Sequence, residues 1–171
     1  MLIETMKLED EIWKGNIQLE VWNHFFGIDK DIELNIGTEC KVEKIEKSHQ
    51  NAYDYLVQNQ KQLLTIILEE LLQQYPAMQE MYGYEDDELE EYMPDVTSIT
   101  DFKRLMSPRR IYILDVESQG MAYIGFHFNC SWDDEMDFGV MMYKERIVKM
   151  GGSDSAFLMW IAQEDKEKQC D

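Results

Sequence analysis

Basic residues are scarce in this chain. Sixteen lysines and arginines stand against 35 aspartates and glutamates, a formal net charge of −19 over 171 residues. A surface so negative repels phosphate, which argues against direct nucleic-acid binding. Cysteine is sparse too: Cys40, Cys130 and Cys170 are odd in number and far apart. No Cys-x-x-Cys pair exists, so a zinc ribbon or a thioredoxin-like dithiol has no ligands to build it. Reduced thiols in a reducing compartment are the simple expectation. No apolar run approaches the roughly eighteen residues of a membrane helix. The start, with Glu4, Glu9 and Asp10, lacks the basic-then-apolar order of a signal peptide. A cytoplasmic protein with no membrane attachment is therefore expected. Gly-x-Ser-x-Gly, the phosphate loop and the dinucleotide fingerprint are all absent from the sequence.

What is present suits one α+β domain over 1–171. The residues are 44% hydrophobic and 30% charged, enough apolar material for a single core. Ile17, Leu19 and Val21 alternate with polar neighbours or Trp22, as do Ile32, Leu34 and Ile36. Period two predicts two half-buried strands. Lys14-Gly15-Asn16 supplies a turn before the first, and Gly27 to Asp31 a turn between them. A long helix is expected from Ser48, a candidate N-cap, to Tyr75, which Pro76 follows. Leu56, Leu63, Leu64, Ile67, Leu68, Leu71 and Tyr75 cover a broad arc of its wheel. A helix apolar over most of its circumference is covered on more than one side, so it reads as the central pillar. Glu70 falls on the apolar side as an exception.

Further on, Ile111–Glu117 predicts a strand, Ser118-Gln119-Gly120 a three-residue hairpin loop, and Ala122–Trp132 the partner strand. Ala122, Ile124, Phe126, Phe128, Cys130 and Trp132 form its apolar face; Tyr123, Gly125, His127, Asn129 and Ser131 form the polar one. Two shorter strands, Phe138–Tyr143 and Arg146–Met150, follow. Gly151-Gly152 ends the sheet. Ser153 or Asp154 caps a closing helix with Phe157, Trp160 and Ile161 on its buried stripe. The expected architecture is an N-terminal antiparallel β unit, a long central helix, a C-terminal antiparallel β-sheet and a closing helix.

Between helix and sheet lies an acidic excursion, residues 79–95. It holds Glu80, Glu85, Asp86, Asp87, Glu88, Glu90, Glu91 and Asp95, interleaved with Tyr82, Tyr84, Leu89 and Tyr92, and no lysine or arginine. It reads as an irregular helix and loop, or as a partly mobile segment. Aromatic residues make good interface anchors, and surrounding carboxylates would steer a basic protein partner. The candidate partner surface is therefore Tyr82, Tyr84, Asp86, Asp87, Glu88, Glu90, Glu91 and Tyr92. Asp133, Asp134 and Glu135 of a second acidic loop join it. Solubility alone is the plainer reading of the same charge.

Chemistry-bearing groups are few. The Asp133–Asp137 loop could hold a hard cation, but it lacks the EF-hand spacing and glycine. His127 and Cys130, three apart on a strand, point to opposite faces, so they are no nucleophile–base pair, and Cys130 reads as an inert core thiol. His24, His49 and His127 would need the fold to bring them together to bind metal. No catalytic, cofactor or metal residue is assigned. The runner-up function is a small hydrolase or metal-dependent enzyme using the Asp133–Asp137 loop with His127. The cluster Lys103, Arg104, Arg109 and Arg110 is expected to offset the acidic segment. Gly151-Gly152-Ser153-Asp154 reads as a turn and helix cap rather than an anion site. The methionines, Met78, Met81, Met93, Met141 and Met142 among them, are core filler or an adaptable surface.

Several stretches carry a resemblance. They are Asn51-Ala52-Tyr53-Asp54-Tyr55, Ser98-Ile99-Thr100-Asp101-Phe102, Tyr123-Ile124-Gly125-Phe126, Cys130-Ser131-Trp132-Asp133-Asp134-Glu135, Gly139-Val140-Met141-Met142 and Gly151-Gly152. Their order resembles a family of bacterial domains of unknown function with a Cys-x-Trp-Asp-x-Glu-His-Gly signature, loosely related to immunity proteins of polymorphic toxin systems. Here Met136 stands in the histidine position and Asp137 in the glycine position. The matched residues are mostly aromatic, glycine or turn-forming, a folding signature rather than an active site. The resemblance implies a non-enzymatic binding module, an immunity-type inhibitor of a basic partner.

Overall fold

Among the described residues seven strands line up in chain order: β1 (Lys7–Glu9), β2 (Ile12–Ile17), β3 (Ile32–Ile36), β4 (Met106–Ser118), β5 (Met121–Cys130), β6 (Phe138–Tyr143) and β7 (Arg146–Gly151). The structure is a computed structural model that describes residues 5–170. Every neighbouring pair is antiparallel except β3–β4, which is parallel. The two β units expected from the sequence are thus one sheet. The parallel pair requires a crossover. It carries α2 (Lys47–Gln58), α3 (Gln60–Tyr82), α4 (Asp86–Tyr92) and a 3-10 turn, Ile99–Arg104; α1 (Glu20–Phe26) joins β2 to β3. A second 3-10 turn, Ser153–Ala156, and α5 (Met159–Cys170) follow β7.

Helices α1 to α3 cover one face of the sheet. The expected apolar row of β5, from Ala122 to Trp132, lies there whole, with Leu56, Leu63, Leu64, Ile67, Leu68, Leu71 and Tyr75 against it in one core. Trp22 stacks on Phe128 at 5.8 Å and meets Phe126 at 5.3 Å.

Four expectations near the N-terminal half give way. The strand drawn through Ile17, Leu19 and Val21 stops at Ile17, and a helix begins at Glu20. Leu19, Trp22 and Phe26 are buried at helical spacing while Val21 is exposed, so period 3.6 wins over a short run of period two. Gly27, at φ 66°, then ends α1 in the left-handed conformation. Lys14-Gly15-Asn16 is interior to β2, and the turn is Asp10-Glu11 instead, both at positive φ. The single pillar is two helices broken at Asn59, and α2 is capped by Glu46 rather than Ser48. Finally, α3 runs through Pro76 to Tyr82. Contacts on both sides of the proline hold it: the Tyr75 hydroxyl donates to the Pro94 carbonyl (2.7 Å) and the Gln79 amide to that of Met93 (2.8 Å). These contacts and the burial of Tyr75 outweigh the roughly 3 kcal/mol that an interior proline costs. Glu70, the exception on the apolar side, is half-buried and accepts from the Gln74 amide one turn on (2.8 Å).

The other face of β4–β7 is also covered, against expectation. Tyr123 and His127, read as polar-face residues, are buried, and Tyr123 packs with Tyr112, Leu114, Met141, Ala156, Ile161 and Ala162. Glycine explains how the cover comes so close. A Cβ on Gly125 would overlap the Ala156 carbonyl, and one on Gly139 would lie 2.5 Å from the Gly152 oxygen. The second 3-10 turn thus rests directly on sheet backbone. Trp160, expected on the buried stripe of α5, is 49% exposed with Lys149 Nζ over its ring at 5.1 Å. The β4–β5 loop has two residues, Gln119-Gly120, not three; both take positive φ, and Ser118 pairs Met121.

Candidate functional site

The acidic excursion is ordered. Gly83, at φ 68°, ends α3. Tyr84 follows, and α4 opens with Asp86, Asp87 and Glu88 in its first turn, where the helix dipole favours negative charge. The tyrosines face inward. Tyr82 and Tyr84 stack at 6.0 Å with an interplanar angle of 5°, and Tyr84 meets Tyr92 at 5.3 Å. Their hydroxyls reach the loop after β5: Tyr82 donates to Asp133 Oδ2 (2.9 Å) and Tyr84 to the Trp132 carbonyl (2.7 Å). Ser131 donates to the Tyr92 carbonyl from the other side (2.8 Å). Burial, then the hydrogen bond and charge of Asp133, push the Tyr82 hydroxyl pKa up, so it stays a donor.

Asp133 also organises its own loop. Its Oδ1 accepts from Met136 N and its carbonyl from Asp137 N, each at 2.9 Å. Beneath it Trp132 is buried edge-on to Tyr75 and Phe138. The fold thereby brings together the two candidate segments. Asp86, Asp87, Glu88, Glu90, Glu91, Asp134 and Glu135 are exposed, while Tyr82, Tyr84, Tyr92 and Asp133 are half-buried and brace them. The tyrosines were read as anchors for a partner; their rings and two of their hydroxyls are engaged within the chain. Met81, 73% exposed, and Met136, 50% exposed, are apolar groups on the same two segments. Met93, Met141 and Met142 are core.

The remaining candidates separate. Cys130 is in the core, and burial pushes its thiol up to about 12, which keeps it protonated and unreactive. His127 does meet one member of the acidic loop: its Nε2 lies 2.8 Å from Asp137 Oδ2, both side chains about nine-tenths buried. Arg109 donates to the same oxygen at 3.0 Å. A carboxylate facing Nε2 places the proton there, leaving Nδ1 buried without a partner among the described residues. Asp137 takes φ 55°, a conformation that aspartate tolerates but glycine prefers. His49 is different. Its Nδ1 accepts the Glu46 N–H (3.0 Å) in a reciprocal cap, and its Nε2–H donates to Asp115 Oδ1 (3.0 Å). The histidines do not converge, and among the described residues no three of His, Cys, Asp and Glu are grouped to hold a metal ion. Two of the basic residues expected to offset the excursion pair elsewhere, Arg109 with Asp137 and Arg110 with Glu33.

The glycines Gly125, Gly139, Gly151 and Gly152 gather around one 3-10 turn, with Ser155 Oγ 3.0 Å from where a Gly151 Cβ would sit. Spacing alone gave no sign of this; the signal lay in glycines standing inside apolar strand patterns, which mark a close backbone approach. Five cavities of about 250 to 770 Å³ are lined by residues other than His127 and Asp137. No helix among the described residues is long and apolar enough to cross a membrane. No curated protein and no solved structure matches the chain. The model of one family matches residues 4–158, everything but the N-terminal tip and α5, and the chain belongs to that family, described as Domain of unknown function (DUF6985).

Proposed function

We propose that this protein is a non-enzymatic, acidic protein-binding module, an immunity-type inhibitor of a basic protein partner. The face made by α4 and the Asp133–Glu135 loop is its docking surface. The observation that carries the reading is the bracing of that face. Seven exposed carboxylates from two distant segments are held on a tyrosine stack and three cross-segment hydrogen bonds. Charge meant only for solubility needs no such scaffold, whereas a preformed surface loses less entropy on binding. Exposed Met81 and Met136 add adaptable apolar contact. The net charge of −19 adds long-range attraction for a basic partner.

The enzymatic alternative has one observation in its favour, the contact of His127 with Asp137. Burial, the second hold by Arg109 and the tie of Asp133 to Tyr82 count against a working site. The test is association kinetics with a basic protein recovered from the native host. Replacing Asp86, Asp87, Glu88, Glu90 and Glu91 with Ser or Gln should slow association by at least tenfold. It should also flatten its salt dependence, because exposed charges are screened beyond about 8 Å at physiological ionic strength. Unchanged rate and affinity would remove this face from the function. Stoichiometric zinc or iron in protein purified without chelator would shift the balance to the enzyme.

A further inference from the structure

The cover over the second sheet face stops part-way. Register sets Lys14, Asn35, Tyr112 and Gly125 in one row across β2, β3, β4 and β5. Ala156 sits on Gly125, and Phe157 abuts Tyr112 with ring centroids 5.6 Å apart. Beyond Phe157 the row opens into a cavity of about 380 Å³ lined by Ile12, Lys14, Asn35, Thr38, Arg110, Tyr112 and Phe157. That volume lies within the range of small-molecule sites.

Its lining is unusual for this chain. Acids outnumber bases 35 to 16, yet among the described residues the cavity has two cations and no carboxylate in its wall. Two of the three larger cavities contrast with it: one includes Asp31, Glu46 and Asp54, another Asp115, Glu117 and Glu167; the third, beside Lys61, lacks acids too but has one cation and no aromatic wall. Arg110 is fixed rather than free, since Glu33 Oε2 accepts both its Nε (2.8 Å) and Nη2 (2.6 Å). Lys14 is the available charge. Its sole ion pair among the described residues is a 3.5 Å contact with Asp10, whose side chain is 90% exposed, and such a contact is worth little. Asn35 can both donate and accept. Thr38 Oγ1 is buried and has no partner among the described residues, so turning it toward the cavity forfeits no hydrogen bond. Tyr112 and Phe157 supply an aromatic wall.

We infer that this cavity binds a small carboxylate with an aromatic body, the anion held by Lys14, Asn35 and Thr38 and the ring packed on Tyr112 and Phe157. The site is independent of the acidic face. The carboxylate could belong to a free acid or to the end of a polypeptide, and the test separates the two. The intact protein is titrated by NMR with benzoate, benzamide and benzylamine, which share a ring and differ in charge. Benzoate should shift the amides of Lys14, Asn35, Thr38 and Tyr112 and bind about tenfold more tightly than benzamide, with benzylamine weaker still. Lys14→Gln should cost benzoate about tenfold and leave benzamide unchanged, while Lys14→Arg should retain binding. N-acetylphenylalanine binding more tightly than benzoate assigns the site to a chain terminus; weaker binding assigns it to a free acid. The inference is overturned by no shifts at millimolar benzoate, by shifts mapping elsewhere, by benzamide or benzylamine matching benzoate, or by Lys14→Gln having no effect.

Discussion

Phe126 and its neighbours Gly125 and His127 occupy one strand yet look into two different interiors. Phe126 enters a broad apolar core shared by the sheet and α1–α3. Gly125 and His127 face a thin layer where a 3-10 turn lies on bare backbone and a buried polar pair sits alongside. The first interior is held by volume: many side chains each contribute area, and loss is graded. The second is held by fit, so that one added methyl group has nowhere to go. The same strand pattern thus encodes two kinds of tolerance.

The comparison can be broken in order of expected effect. Phe126→Ala should cost about 3–5 kcal/mol of global stability, read by denaturant titration with loss shared across the molecule. Gly125→Ala should cost about 3 kcal/mol, the upper part of the usual overpacking range. Its mark is location: hydrogen exchange should accelerate in Ser153–Ala156 and α5 while α3 keeps its protection. Uniform loss in that experiment would merge the two interiors into one. His127→Ala should cost about 1–3 kcal/mol, the desolvation left on a buried acceptor, with Arg109 limiting the damage to Asp137. A reading of His127 as a polar-face residue would give almost nothing, so this value also checks its burial.

The smallest effect is a pH dependence. Arg146 donates to both oxygens of Asp165 (2.7 and 2.8 Å), and Tyr123 donates to Oδ2 (2.7 Å). The Arg146 hydrogen bond, ahead of the opposing burial, holds the Asp165 carboxyl below the ordinary aspartate range. A depressed folded-state pKa stabilises above the unfolded value, about 3.9, and that contribution disappears as pH falls through the folded value. Docking of α5 should therefore survive to below about pH 4. In Arg146→Gln it should begin to fail at higher pH, read by near-UV circular dichroism of the Tyr123 environment. An unchanged acid midpoint would mean that the second interior does not depend on this pair.

The first interior was legible in the sequence and the second was not, for a physical reason. Ala122 to Trp132 alternate in hydrophobicity, and the broad arc of α3 is written in leucine and isoleucine; both patterns report burial directly. The second face uses tyrosine, histidine and glycine, whose burial depends on partners far along the chain, such as Asp165 for Tyr123 and Ala156 for Gly125. The α1 region misled because Ile17, Leu19 and Val21 are too few to separate period two from 3.6. In the candidate site, the acids and the Asp133–Glu135 loop were legible by composition. The bracing role of Tyr82 and Tyr84 rests on contacts about fifty residues apart, which no local pattern records.

The single parallel pairing of the sheet has a consequence in time. Strands β4 to β7 are joined by short antiparallel connections, so they can zip together soon after they meet. Strand β3 reaches β4 only after the whole crossover, α2 to the first 3-10 turn, has been spanned. Closing so long a loop costs entropy before its contacts reward it. The meander should therefore form early and accept β1–β3 late. Until that arrival β4 presents an open hydrogen-bonding edge to any other chain nearby, and the folding protein is at its most vulnerable to association with the wrong strand.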